Sequence, residues 1–202
     1  MNHVAVNIAE LRNTQLQEGN HERNVRDDVR HLTVEQLREH SLQSTLPWCV
    51  MLLNLTGELN IGTMIRSSHL MGVHTVFVLG RRNFDKRGLV GANHYTRVEK
   101  IWAVNDSLEL DSEVFAQTCR QHGLVPICVE QGGTSCFAMD WRQVLEPMLE
   151  SGRMPVLVLG PENGGIPASI QQSARDLGGG VVSIPQRGVL RSFNVSQAFA
   201  IV

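Results

Sequence analysis

The chain has 202 residues, of which 42% are apolar, 19% charged and only 5% aromatic, and a formal net charge of −2. That composition excludes a disordered or collagenous chain. The longest apolar run, Leu46 to Leu53, is broken by Pro47 and falls well short of the roughly 20 residues that a membrane-spanning helix needs.

Taken in chain order, residues 1 to 45 form a polar N-terminal extension with five basic and seven acidic residues. Met1 to Arg12 lack the basic start and apolar core of a secretory signal, so a cytoplasmic protein is expected. Thr33 and Gln36 have capping-box spacing and predict a helix start. From residue 46 to 202, short apolar runs alternate with segments of helical period. The alternation predicts strands near 48 to 54, 74 to 79, 97 to 102, 124 to 129, 155 to 159 and 181 to 184. Between them fall helices near 60 to 71, 109 to 122, 137 to 150 and 166 to 176, and a last one starts near Asn194. The expected fold is α/β: one layered domain with a mainly parallel six-stranded sheet and helices on both faces.

Cys49, Cys119, Cys128 and Cys136 form no CxxC pair and have no histidine at ligand spacing. Free thiols are expected, and neither a metal site nor a disulfide framework is indicated. Charge is unevenly spread: residues 101 to 150 carry two basic and eight acidic side chains, whereas residues 81 to 100 carry six basic and two acidic ones. The block Arg81, Arg82, Lys86 and Arg87 reads either as a solvated loop or as a loop that contacts phosphates.

Three segments gather glycine, asparagine and ionisable residues just after predicted strands, where open α/β sheets place their ligands. In the first, Asn60-Ile61-Gly62-Thr63-Met64-Ile65-Arg66, the polar Asn60, Thr63 and Arg66 fall near one helical face, with Ile61, Met64 and Ile65 on the other. An N-cap and a surface arginine would also explain it. The second, Gly160-Pro161-Glu162-Asn163-Gly164-Gly165-Ile166-Pro167, lacks the lysine and hydroxyl of a phosphate-cradling loop and matches no dinucleotide fingerprint. Its acid, Glu162, suits a ribose or a guanidinium partner better than a phosphate, or simply starts a helix. In the third, Ile184 to Ala198, the stripe Val195, Ala198, Phe199 and Val202 marks a buried helix face and puts Ser192 and Asn194 at its start.

In this order and spacing the three segments resemble the motifs of the SpoU family of RNA ribose 2′-O-methyltransferases, the TrmH-like branch of the SPOUT superfamily. The first motif corresponds to Asn60, Gly62 and Arg66, the second to Gly160 through Ile166, and the third to Ile184 through Gly188 and Ser192 through Ser196. Phe193 stands in the usual leucine position, and Val202 ends the last helix early for the family. The resemblance implies a SPOUT fold with a C-terminal trefoil knot, S-adenosylmethionine as methyl donor, and a homodimer whose subunits jointly build the site for a structured tRNA or rRNA. It implies cofactor contacts at Gly160, Ile184, Phe193 and Ser192, and catalytic roles for Arg66, Asn60, Glu162, Ser192 and Asn194. An arginine holds its proton too firmly for general-base work, so Arg66 is expected to grip a phosphate and stabilise alkoxide charge. A base methyltransferase of the same superfamily and a catalytically silent RNA-binding protein stay open as alternatives.

Overall fold

The structure, a computed structural model, describes residues 23–54, 60–80, 87–161 and 163–202. Six parallel strands, β1 (Leu46–Asn54), β2 (Val73–Gly80), β3 (Val98–Trp102), β4 (Leu124–Ser135), β5 (Met154–Leu159) and β6 (Gly180–Ser183), form one sheet in the order β3-β2-β1-β5-β4-β6. The helices are α1 (Val34–Gln43), α2 (Asn60–Leu70), α3 (Ser112–Gln121), α4 (Trp141–Glu150), α5 (Ala168–Asp176) and α6 (Val195–Ile201).

β1 is apolar along almost its whole length because it lies inside the sheet, hydrogen-bonded to β2 and β5 and covered on both faces. Cys49, Met51 and Leu53 join a core with Phe115 of α3 and Ile170 and Ala174 of α5. The alternate residues Val50 and Leu52 point the other way, into a core with Ile61, Met64 and Ile65 of α2 and Phe199 of α6, against which Trp141 and Leu145 of α4 also pack. The period of two along the strand thus divides the helices between two layers.

Side-chain caps set the helix starts. Thr33 and Gln36 form the expected capping box, with Gln36 N donating to Thr33 Oγ1 at 3.2 Å and Thr33 N to Gln36 Oε1 at 2.9 Å. α3 and α4 begin later than apolar spacing alone suggests, because Asp111 and Asp140 accept hydrogen bonds from the first free amides of those helices.

α1 is not a detached arm. Leu37 is buried, and Ser41 Oγ lies 3.4 Å from Nδ1 of His69 on α2. All four cysteines are free and buried. Among the described residues no helix is long and apolar enough to cross a membrane.

β4 departs most from the sequence reading. It runs on to Ser135 instead of ending near 129, and both Val129 and Thr134 pair with Val182 of β6. Glu130 to Gly133 are therefore looped out as a bulge. Gly132 turns with a φ of +79°, and a Cβ on Gly133 would lie only 2.5 Å from the Val181 carbonyl oxygen, so the two glycines let the chain fold back against β6.

β6 is an edge strand beside β4, whereas α6 packs on the α2 side of the sheet. The segment between them, 184 to 194, passes over the β4 bulge and the C-terminal end of β5, and that crossing creates the site.

Candidate functional site

A cavity of about 510 Å³ opens under the crossing segment. Its floor is Val129, just before the β4 bulge, and Leu159 at the end of β5. One wall is the β5–α5 loop with Gly160 and Gly165, and the other is the crossing segment with Ile184 and Phe193. The position is where parallel sheets leave an open crevice at their carboxyl ends.

Hydrogen bonds from the β4 bulge hold both walls. The Ile166 amide donates to Glu130 Oε2 at 2.7 Å, and the Gln131 amide donates to Glu130 Oε1 at 2.8 Å. The Gln131 carboxamide donates to the Arg191 carbonyl of the crossing segment. Below them, Ser183 Oγ donates to the Gly133 carbonyl at 2.8 Å. From α5, Gln171 Nε2 donates to the Ile166 carbonyl at 2.9 Å. One short bulge thereby fixes the spacing between two loops that are far apart in sequence.

The four expected cofactor contacts come together here: Gly160, Ile184, Ser192 and Phe193 all line the cavity. The fold itself demands a glycine at 160. A Cβ on it would meet the Gly165 carbonyl carbon, the Ile166 amide nitrogen and Ile166 Cγ1, each at 2.9 Å. Glycine is required there because the loop doubles back on itself, not because it clears space for a ligand. Gly165, with a φ of +65°, faces Glu130 so closely that a Cβ would overlap Oε2.

Of the expected catalytic residues, Ser192 lines this cavity, whereas Asn60, Arg66 and Asn194 do not. Asn60 opens α2, and Arg66 stands exposed farther along it, where it lines a different cavity. Asn194 caps α6, its Oδ1 accepting from Ser196 N at 3.0 Å and from Ser196 Oγ at 2.6 Å. Glu162, Arg81, Arg82 and Lys86 lie outside the described residues, and of Arg87 only the backbone is described. Arg87 begins a 3-10 turn, Arg87–Leu89, in which Gly88 presses on the first turn of α2. A Cβ on Gly88 would be 2.8 Å from Thr63 N. The end of the basic block is thus anchored beside the first motif.

Glu130 and Gln131 were not among the sequence candidates. Their signal was available, since Glu-Gln-Gly-Gly directly follows an apolar strand just as the other three polar segments do. Among the described residues no group of three or more His, Cys, Asp or Glu side chains is placed to hold a metal ion.

Solved structures share this architecture. The A. aeolicus TrmH/SpoU tRNA modifying enzyme is 19% identical with a TM-score of 0.60, over 83% of this chain and 77% of that one. The SpoU methyltransferase AviRb from Streptomyces viridochromogenes, solved in complex with the cofactor AdoMet, is 22% identical with a TM-score of 0.53, over 77% of this chain and 55% of its own. An RNA 2′-O ribose methyltransferase is 21% identical with a TM-score of 0.56, over 78% of this chain and 54% of its own. This chain therefore spans little more than half the length of the last two. No curated protein matches it. The sequence profile of the SpoU rRNA methylase family, however, matches residues 47–202. With all but the first 46 residues inside that match, the chain belongs to the SpoU rRNA methylase family.

Proposed function

We propose that the chain binds S-adenosylmethionine under the crossing segment and methylates a ribose 2′-hydroxyl of a structured tRNA or rRNA. In this reading residues 46–202 are the methyltransferase domain and residues 1–45 an extension. The observation that carries it is the convergence of the second and third motifs on one cavity, in a chain whose family is established by sequence.

The residues present fit that cofactor. A volume of about 510 Å³ falls within the roughly 300–1,000 Å³ usual for small-molecule sites. Leu159, Ile184 and Phe193 suit an adenine, and Glu130 places a carboxylate beside a ligand that carries a positive sulfonium. When bound, the cofactor supplies a methyl group already made electrophilic by its sulfonium.

The chain's own work is then orientation and charge. Glu130 and Gln131 hold the two loops at fixed separation, so that donor and hydroxyl can be set in line. Arg66 grips the phosphate next to the target ribose and stabilises alkoxide charge as the hydroxyl proton leaves to water. Glu162 orients Asn60 or Arg66, while Ser192 and Asn194 fix the loop and the ribose. Arg81, Arg82, Lys86 and Arg87 contact phosphates farther along the RNA.

Arg66 does not line the cofactor cavity of its own chain, which supports a homodimer in which each cofactor meets Arg66 of the partner subunit. Val189, Leu190 and Phe193, apolar and exposed around the crossing segment, are surface for a second copy to cover. The crossing segment is also the stretch that would be threaded in the trefoil knot of the SPOUT fold.

Arg66→Ala is the test. The reading predicts a cofactor affinity within about twofold of wild type and a loss of methyl transfer to total RNA of at least ~100-fold, the scale on which removing one transition-state electrostatic interaction acts. Parallel loss of both would refute the division of labour. Absence of cofactor binding in the wild-type protein would favour the silent RNA-binding alternative, and a methyl found on a base would favour the other superfamily activity.

A further inference from the structure

A second cavity, of about 550 Å³, lies between the segment leading into α1, α2 and the turn before β3. Among the described residues its lining includes three arginines and two histidines and no carboxylate, in a chain that has more acidic than basic residues overall. The hollow combines apolar walls with that cationic bias, which favours anions that also present a flat apolar surface. Arg26 is paired with Asp28 at 3.0 Å on the rim. Arg66 and Arg97 make no ion pair with a carboxylate among the described residues, and Arg97 Nη1 meets only the imidazole Nε2 of His74, at 3.3 Å.

Aromatic surface stands beside the charge. The Tyr95 ring, half-buried, has its centroid 6.0 Å from that of His69 and 6.3 Å from that of His94, the His69 ring being tilted at 41°. His69 is kept below its usual pKa by burial and is held by Ser41 of α1. Flat rings beside guanidiniums that no carboxylate of the described residues neutralises are the combination with which proteins hold an unstacked base and its phosphate.

We propose that this second cavity binds a nucleotide of the RNA strand that flanks the target, with its base against Tyr95 and His69 and its phosphate on Arg97, and with Arg66 bridging toward the target. The proposal rests on the RNA reading above. It adds a subsite built jointly by the N-terminal segment and the family domain, which gives that segment a part in substrate recognition.

Tyr95 is the chain's single tyrosine, so tyrosine-selective isotope labelling yields one ring spectrum that reports directly on this cavity. The full-length protein is titrated with a hexaribonucleotide of mixed sequence, and separately with inorganic phosphate. A saturable shift of the Tyr95 signal with the hexaribonucleotide is expected. Arg97→Ala should weaken it about tenfold and Arg97→Glu abolish it, with melting temperature and cofactor affinity unchanged. Both substitutions are on an exposed side chain.

A Tyr95 signal unmoved at millimolar oligonucleotide, wild-type binding by Arg97→Glu, or an equal shift with phosphate alone overturns the proposal. Methyl transfer to total RNA is followed on the same samples. Transfer with Tyr95 unmoved overturns the subsite alone. A Tyr95 shift without transfer supports the subsite and refutes the methyltransferase reading.

Discussion

Replacing Glu130 with alanine removes the acceptor for two backbone amides at once. The Ile166 amide bond, 2.7 Å long and partly buried, is charge-assisted, and its loss costs about 1.5–3 kcal/mol because the amide is left with poor access to water. The Gln131 amide bond is exposed, and its loss costs only about 0.5 kcal/mol because water replaces the carboxylate. A total of roughly 2–3.5 kcal/mol falls on the loop that forms one wall of the proposed cofactor cavity. If all of it is charged against binding, S-adenosylmethionine affinity drops by about 30- to 300-fold at ~1.4 kcal/mol per decade. If it falls on global stability instead, Tm drops by roughly 4–14 °C for a domain of this size. Glu130→Gln keeps one acceptor oxygen for the Ile166 amide and should recover at least half of either loss. Calorimetric titration of cofactor with thermal melting of the three proteins reads both quantities. Wild-type affinity and Tm in Glu130→Ala would refute the claim that the bulge holds the loops apart.

Four further outcomes are expected. Arg66→Lys should restore little of the transfer lost in Arg66→Ala, since one ammonium cannot reproduce the planar guanidinium fork, and initial rates on total RNA decide this. Reversing charge at Arg81, Arg82, Lys86 and Arg87 should weaken RNA binding for all sequences and lower the salt slope by roughly 0.7 to 0.9 for each phosphate no longer neutralised, whereas an unchanged slope returns the loop to solvated surface. Gly160→Val should lower Tm as well as cofactor affinity, because its side chain would collide with the Gly165 and Ile166 backbone at 2.9 Å; Phe193→Leu, on a half-exposed residue, should cost at most about 1 kcal/mol in either measurement. Burial pushes the thiols from about 9 up to about 11 for Cys49 and to about 12 for Cys119 and Cys128. Native protein should therefore resist alkylation of these three at pH 8, read by mass spectrometry, and the stability they contribute should be complete below pH 9 and fall as pH rises toward 12, where unfolding releases their protons.

The sheet was legible because β1, β2, the first half of β4 and β5 each carry an apolar run and most helices a stripe, signals that need no knowledge of what lies opposite. The Thr33–Gln36 capping box was legible for the same reason, both partners being one turn apart. The β4 bulge was not, because Glu130 to Gly133 interrupt the apolar pattern and read as a loop, and only pairing with Val182 on β6 carries the strand past them. Gly160, Ile184, Ser192 and Phe193 could be placed together through motif resemblance, but the reason for Gly160 lay in a close approach to Gly165 that spacing does not reveal. Helical periodicity put Arg66 on a polar face without showing that this face looks into a cavity with Tyr95 and Arg97 instead of toward the third motif. That separation, between residues adjacent in the motif set and apart in the fold, is a tertiary fact.

Methyl transfer to a ribose hydroxyl is tested most directly by incubating the full-length protein with methyl-labelled S-adenosylmethionine and total RNA, hydrolysing the RNA in alkali and resolving the products by size. A 2′-O-methyl removes the nucleophile that cleaves the adjacent phosphodiester, so the label should emerge in alkali-resistant dinucleotides. Label recovered entirely in mononucleotides, or no label in RNA from a protein that binds the cofactor, would contradict the proposed activity.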